Sequence, residues 1–103
     1  MGKKRFIVSL NEATEAQQSA FIKYLDANNL NWWHWINNTW YIIDNTGRRN
    51  SKDIGAMVLP IFPNVFFIVS DVPQGDYWWG YGPNNEVDPK QNMFKWLWES
   101  WDK

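Results

Sequence analysis

The sequence of 103 residues predicts a mixed α+β domain with the element order βαββαβ, followed by an aromatic extension and a third helix. Short runs of β-branched and aromatic residues recur along the chain, as in strands. Between them, polar capping residues are followed by apolar side chains at helical spacing. Two of the aromatic runs flank an Asn-Asn pair, and asparagine tolerates the backbone conformations of a tight hairpin turn. Together these patterns predict a sheet covered by helices.

The first two predicted elements are a strand and a helix. The apolar run 5–10 predicts the strand, and Asn11 after it is a good helix N-cap. Glu12 and Glu15 would lie in the first helical turn, where the helix dipole favours negative charge. The helix is predicted to end near Asn28.

The hairpin is predicted around Asn37 and Asn38, in a stretch that contains four of the nine tryptophans. A two-residue turn there pairs Ile36 with Thr39, and the pairing of the two strands is expected to continue from that pair without interruption. Because side chains alternate along a strand, the hairpin then has two faces. One face carries Trp33, Trp35, Trp40 and Ile42. The other carries Trp32, His34, Ile36, Tyr41 and Ile43. His34, the sole histidine, would face Tyr41 and is interpreted as structural.

The remaining elements of the predicted core are a second helix and a fourth strand. Ser51 is the predicted cap of the helix, which Pro60 should end near Leu59. The apolar run 65–69 predicts the strand.

Beyond the core, the segment 71–89 is rich in glycine, proline and aromatic residues, and its Tyr77–Gly82 stretch is a candidate fifth strand. A third helix is predicted from Asp88, with Pro89 at its first position. Its apolar stripe is formed by residues at i, i+3, i+4 and i+7, namely Phe94, Leu97, Trp98 and Trp101.

These elements predict a ferredoxin-like α+β sandwich as a single domain, 1–103. Its core would span about 5–72, with the aromatic loop and C-terminal helix at about 73–103. Right-handed connections give an antiparallel sheet of strand order 4-1-3-2 with both helices on one face. Both faces of that sheet are apolar, and a bare second face would exceed the apolar patch of a typical monomer. We therefore expect either the C-terminal helix or a second copy of the chain to cover it.

The function predicted from this pattern is a non-enzymatic protein–protein interaction module that forms a homodimer, with a further protein partner unidentified. The candidate partner-binding residues are the aromatic side chains placed on the second face, in the glycine-rich loop and on the C-terminal stripe: Trp32, Tyr41, Phe66, Trp78, Trp79, Trp98 and Trp101. No catalytic residue, metal ligand or cofactor site is predicted.

The composition and net charge of the chain argue against several classes of function and site. The net charge of −1 is unlike that of proteins that bind nucleic-acid backbones, and the absence of cysteine excludes disulfides and thiolate metal sites. The sequence lacks the apolar length of a signal peptide or a membrane span, so we expect a cytoplasmic protein with no membrane partner.

Three other functions remain open at this stage. Trp32, Tyr41 and Phe66 could stack the bases of a single-stranded nucleic acid, and the aromatic loop could stack a sugar ring. A degenerate metal-dependent nuclease would use Asp44. Strands 3 and 4 are expected to run antiparallel, which would separate Asp44 from Asp71 and place Asp44 beside Ser9.

The Trp-rich hairpin, the run Thr39–Ile43 and the run Phe94–Leu97 resemble small SinR-like proteins, relatives of the ferredoxin-like subunit of CRISPR adaptation. The resemblance implies a homodimer with C-terminal segments in its interface, and we expect a link to phage or bacterial defence or counter-defence. Nucleases of that wider group resemble one another in an aspartate at the end of strand 1. Here Ser9, Leu10 or Asn11 occupies that position, which argues against nuclease activity.

Overall fold

The computed structural model describes residues 2–74 and 78–103, and the chain divides into two compact units, Met1–Val72 and Pro73–Lys103. The first unit is a mixed α+β domain with a four-stranded antiparallel sheet and two main helices, which confirms the predicted class. Its elements are β1 (Lys4–Leu10), α1 (Glu15–Ala27), β2 (Asn31–Ile36), β3 (Thr39–Asp44), α2 (Ser51–Ile61) and β4 (Phe67–Val72).

The strands of the sheet lie in the order β2-β3-β1-β4, so that β2 and β4 are its edges. Both β3 and β4 are antiparallel to β1. The ends of β3 and β4 therefore lie at the same end of the sheet, and the predicted separation of Asp44 from Asp71 is wrong. Asp44 is paired with Lys4, and Asp71 with Phe6.

Each helix begins with a reciprocal cap that differs from the predicted one. The Thr14 hydroxyl accepts the backbone N–H of Gln17 at 3.1 Å, and the Gln17 side chain accepts the N–H of Thr14 at 2.9 Å. Asn50 forms the same motif with Asp53 at the start of α2, one residue before the predicted cap. Because Asn11 is outside α1, its side chain is free to accept the N–H of Phe66 at 3.0 Å and join the ends of β1 and β4.

The core of the first unit lies between the sheet and the two helices. Phe21 of α1 packs edge-on against Trp40 and Phe62, with ring centroids 4.9 and 5.5 Å apart. Edge-to-face packing is a favoured arrangement of buried aromatic rings. The other buried members of this cluster are apolar residues of the sheet, the helices and the loop between α1 and β2: Phe6, Val8, Leu10, Leu25, Leu30, Ile42, Ile54 and Val58.

The hairpin begins in the predicted register and then departs from it. Ile36 is paired with Thr39, but an irregularity between Trp33 and Ile36 shifts the ladder by one residue. Trp33 is consequently paired with Tyr41, and Trp32 with Ile42 on the face that carries the helices. A β-bulge of this kind exchanges the faces of the residues beyond it.

Side chains on the second face of the sheet differ in exposure from one end to the other. Trp33 and Ile43 are buried and Tyr41 is half-buried, whereas Ile68 is exposed to 68% and Phe66, just before β4, to 81%. The apolar surface of this face is therefore concentrated where β4 begins.

The second unit is held together by turns rather than by the predicted long helix. A 3₁₀ turn spans Pro89–Gln91, and a π-helical turn spans Leu97–Trp101. The side chain of Asn92, instead of Asp88, accepts the N–H groups that open the C-terminal helical segment, those of Phe94 and Lys95. Asp88 instead accepts the N–H of Lys90 in the preceding turn.

The candidate fifth strand lies partly outside the described residues, and 78–82 are not in a strand. An isolated bridge pairs Asn84 with Asn92. Within the described ranges, no helix has the length and apolar character needed to cross a membrane.

Candidate functional site

An open pocket of about 440 Å³ with aromatic walls lies in the second unit. Binding pockets are characteristically concave, mainly apolar, and furnished with a few polar groups. The residues that line it come from the start, middle and end of the unit: Trp78, Trp79, Gly80, Asn84, Phe94, Trp98 and Asp102.

Three of the rings around this pocket have two different orientations. Trp78 and Phe94 are nearly parallel, with an interplanar angle of 5° and centroids 5.8 Å apart. Trp98 is inclined by 39° to Trp78 and by 36° to Phe94. These three rings therefore do not form a single flat platform.

Asp102 is attached to one of these rings by a hydrogen bond. The indole N–H of Trp78 donates to Asp102 Oδ1 at 2.8 Å. The backbone N–H of Asp102 donates to the carbonyl of Leu97 at 2.9 Å, the i to i+5 bond of the π-helical turn. This turn thus positions both Asp102 and the neighbouring Trp98, and π-helical turns are frequently found at functional sites.

The glycine-rich segment is packed closely against the segment that carries Met93 and Phe94. A Cβ at Gly82 would collide with Sδ of the buried Met93, and one at Gly80 would lie 3.2 Å from the Phe94 ring. The N–H of Met93 donates to the carbonyl of Pro83 at 2.8 Å, which holds the two segments together. A side chain at position 82 would require the Met93 side chain to move.

Two of the lining tryptophans leave much of their surface in water. Trp79 is exposed to 91% and Trp98 to 46%. A third predicted binding residue, Trp78, is half-buried, and these three predicted side chains line one pocket. Trp101 is buried, with its ring centroid 6.0 Å from that of Trp96, so its ring is not an accessible surface of this chain.

The three residues predicted as a nucleic-acid platform do not form one. Trp32 packs against the core on the helix face and donates its indole N–H to Asp26 at 2.9 Å. Tyr41 lies on the second face against Trp33, with centroids 4.7 Å apart. Phe66 lies at the end of the sheet where β4 begins, since its carbonyl accepts the N–H of Asn11, whereas Tyr41 is in the middle of β3.

His34 contacts Trp40 and not Tyr41, because the bulge moves it to the helix face. Its ring is stacked on that of Trp40, with centroids 3.5 Å apart and an interplanar angle of 4°. Its two ring nitrogens lie 3.0 Å from the Thr39 carbonyl and from Oε1 of Gln18. Burial lowers the pKa of His34, and the bond to Thr39 offsets this only in part. These contacts join α1 to the hairpin.

Asp44 is bound to its own loop. Its carboxylate accepts the hydroxyl of Thr46 at 2.7 Å and the N–H groups of Thr46 and Arg49 at 3.0 Å, and the Arg49 guanidinium lies 3.3 Å away. Burial by itself raises the pKa of Asp44, but these hydrogen bonds and the Arg49 charge together hold the pKa below 3.8. In the described parts of the chain, no three His, Asp or Glu side chains are grouped as metal ligands would be.

Comparisons with known protein families, with curated proteins and with solved structures find no match to this chain. The site is therefore interpreted from its own chemistry.

Sequence reasoning named the tryptophans of the pocket but missed Asp102 and Asn84. Asp102 follows Trp98 by four residues, a spacing that places two side chains on the same side of a helix. That spacing was the available signal. Asn84 is brought to the pocket by the turns of the 78–92 segment, for which the sequence carries no comparable signal.

Proposed function

We propose that this protein is a non-enzymatic binding module and that its recognition site is the aromatic pocket lined by Trp78, Trp79, Trp98, Phe94 and Asp102. The observation that carries the proposal is the exposure of Trp79 and Trp98 around a concave site. Tryptophan can bury about 150–250 Å² of surface, so a ligand that covers these rings removes a large apolar area from water. Aromatic anchors in pockets are also the side chains that dominate protein–protein binding energies.

A ligand screen observed by NMR tests this function. In ¹⁵N-labelled protein each tryptophan gives one indole N–H signal, and Trp78, Trp79 and Trp98 can be assigned with single Trp→Leu variants. We expect at least one class among cationic, neutral and sugar-like fragments to shift these three signals selectively. If no class shifts them, or if every hit shifts the buried Trp40 signal equally, the pocket is not the recognition site.

We further propose that the module assembles as a homodimer through the end of the sheet where β4 begins. This proposal is supported by the edge position of β4 and by the exposure of Phe66 and Ile68 on the second face. An edge strand can pair antiparallel with its own copy about a twofold axis, which would bring both copies of this apolar patch together.

Light scattering across a concentration series measures the oligomeric state. We expect a dimer that Ile68→Glu converts to a monomer, because the substitution places a charge in the proposed interface. Ser70→Glu is the control, since Ser70 is also exposed on the second face of β4 but two residues further along. A monomeric wild-type protein at 100 μM, or equal effects of both variants, contradicts this assembly.

The ferredoxin-like class and the relationship to SinR-like proteins belong with these proposals. They are supported by the element order of the first unit and by the Trp-rich hairpin. A role in phage or bacterial defence or counter-defence is consistent with a small interaction module. Co-purification from the native cell, compared between wild type and Trp79→Leu, would connect such a role to the pocket.

A further inference from the structure

The shape of the aromatic pocket favours a compact group over a flat ring. A sugar or a base stacks on one extended aromatic face. Here Trp78 and Phe94 share one orientation, and Trp98 is inclined to them by 36–39°. Trp79 also lines the pocket, so four aromatic rings with at least two orientations border it. Such a concavity can surround a small, roughly spherical group.

The charge of the pocket is negative. Asp102 is the sole charged side chain among the described residues that line it. Its Oδ1 accepts the Trp78 N–H, which orients the carboxylate and leaves the charge in place. The π-electron faces of tryptophan are also negative and attract cations. An anionic ligand would therefore be repelled, and a neutral ligand would cover the carboxylate without compensating its charge.

From this combination we infer that the pocket binds a methylated ammonium group, such as a quaternary ammonium head group. The cation interacts with the aromatic faces and with Asp102, while its methyl groups contact the same rings. An unmethylated ammonium is more strongly hydrated and loses more on entering an aromatic site. This inference rests on the proposed function, because it names the ligand class of the same pocket.

The test compares two molecules of nearly the same shape that differ in charge. Choline carries a trimethylammonium group, and 3,3-dimethylbutan-1-ol carries a neutral tert-butyl group in its place. We expect choline to shift the indole signals of Trp78, Trp79 and Trp98 and to bind at least tenfold more tightly than the alcohol. Equal affinity for the two, or preferential binding of methyl glucoside, would overturn the inference. The proposed function would survive those results, because the pocket would still bind a ligand.

A comparison of two ligands distinguishes the possible sources of the methylated ammonium group. A peptide with one trimethyl-lysine represents a methylated protein partner, and its unmodified lysine form is the control. Tighter binding of the methylated peptide than of choline identifies a protein as the source, and the reverse identifies a free small molecule. No response to choline, tetramethylammonium or the methylated peptide contradicts the inference.

A charge-removing variant tests the role of Asp102. Asp102→Asn retains an oxygen that can accept the Trp78 N–H but removes the negative charge, so the pocket should keep its shape. We expect choline affinity to fall by about threefold to thirtyfold, and the weak affinity for dimethylbutanol to be unchanged. Glu86→Gln removes an exposed charge that does not line the pocket and should leave both affinities unchanged. Equal losses in the two variants would show a general charge effect and refute a specific site.

Discussion

Replacing Asp44 by asparagine tests the structural role of this carboxylate. The side chain is exposed to only 1%, and its carboxylate accepts three hydrogen bonds, from the Thr46 hydroxyl and from the N–H groups of Thr46 and Arg49. A hydrogen bond to a charged group contributes about 1 kcal/mol more than one between neutral groups, so loss of the charge from the two bonds to Thr46 costs about 2 kcal/mol. The asparagine NH₂ would also oppose the N–H of Arg49, and the unsatisfied donor adds about 1–3 kcal/mol.

We therefore expect Asp44→Asn to lower the free energy of unfolding by about 3–5 kcal/mol, a large share of the roughly 5–15 kcal/mol of a typical protein. Urea denaturation followed by tryptophan fluorescence at pH 7 measures this change. Asp71→Asn is the matched control, because Asp71 is an exposed carboxylate at the same end of the sheet. We expect Asp71→Asn to change the stability by less than about 0.5 kcal/mol.

The pH dependence of this difference follows from the lowered pKa of Asp44. In the unfolded chain the carboxyl group is protonated below its ordinary pKa of 3.8, whereas the folded protein retains the charge to lower pH. The contribution of the carboxylate to the free energy of unfolding is therefore complete above pH 3.8. It is lost as the pH falls through the pKa that Asp44 has in the folded protein. The difference between wild type and Asp44→Asn should shrink in strongly acidic solution. A loss below 1 kcal/mol at pH 7, or a loss equal to that of Asp71→Asn, would refute this account of Asp44.

Three further predictions concern other parts of the chain. Thr14→Ala should remove the α1 cap and lower the free energy of unfolding by about 1 kcal/mol in urea denaturation, and an unchanged stability contradicts the capping role. The pKa of His34, measured by NMR, should lie below 6.5. Between pH 7 and pH 5 the unfolded chain therefore binds a proton at this residue that the folded protein excludes, and the wild type should lose stability. His34→Gln should lose less stability over the same pH range. Gly82→Ala should increase amide exchange around Met93 because the added Cβ displaces that side chain, and exchange equal to that of wild type would show that the segment adjusts without cost.

Much of the first unit could be predicted because its signals are local. Alternating apolar runs marked the strands, and the Asn37–Asn38 turn gave the correct pairing of Ile36 with Thr39. The face of Trp32 could not be predicted in the same way. A bulge is specified by the fit of large rings against the core, and one displaced residue exchanges the faces of everything beyond it.

Other errors have different physical origins. The strand order expected from the sequence already requires β3 and β4 to run in the same direction, so the relative position of Asp44 and Asp71 was available from topology. The C-terminal helix was predicted from its apolar stripe, but the Asn92 side chain caps it later and the π-helical turn alters its spacing. Where two residues can cap a helix equally well, tertiary packing determines which of them does so. That packing cannot be read from a single sequence.

The affinity of the strongest ligand from the NMR screen for two single variants tests the recognition site most directly. Trp79 and Tyr81 are both highly exposed aromatic residues of the same segment, at 91% and 94%, but only Trp79 lines the pocket. Trp79→Leu should weaken binding by about tenfold, because a contact of this size with an aromatic ring is worth about 1–2 kcal/mol. Tyr81→Leu should leave the affinity unchanged. If the two variants have equal affinity for the ligand, the aromatic pocket is not where this protein binds it.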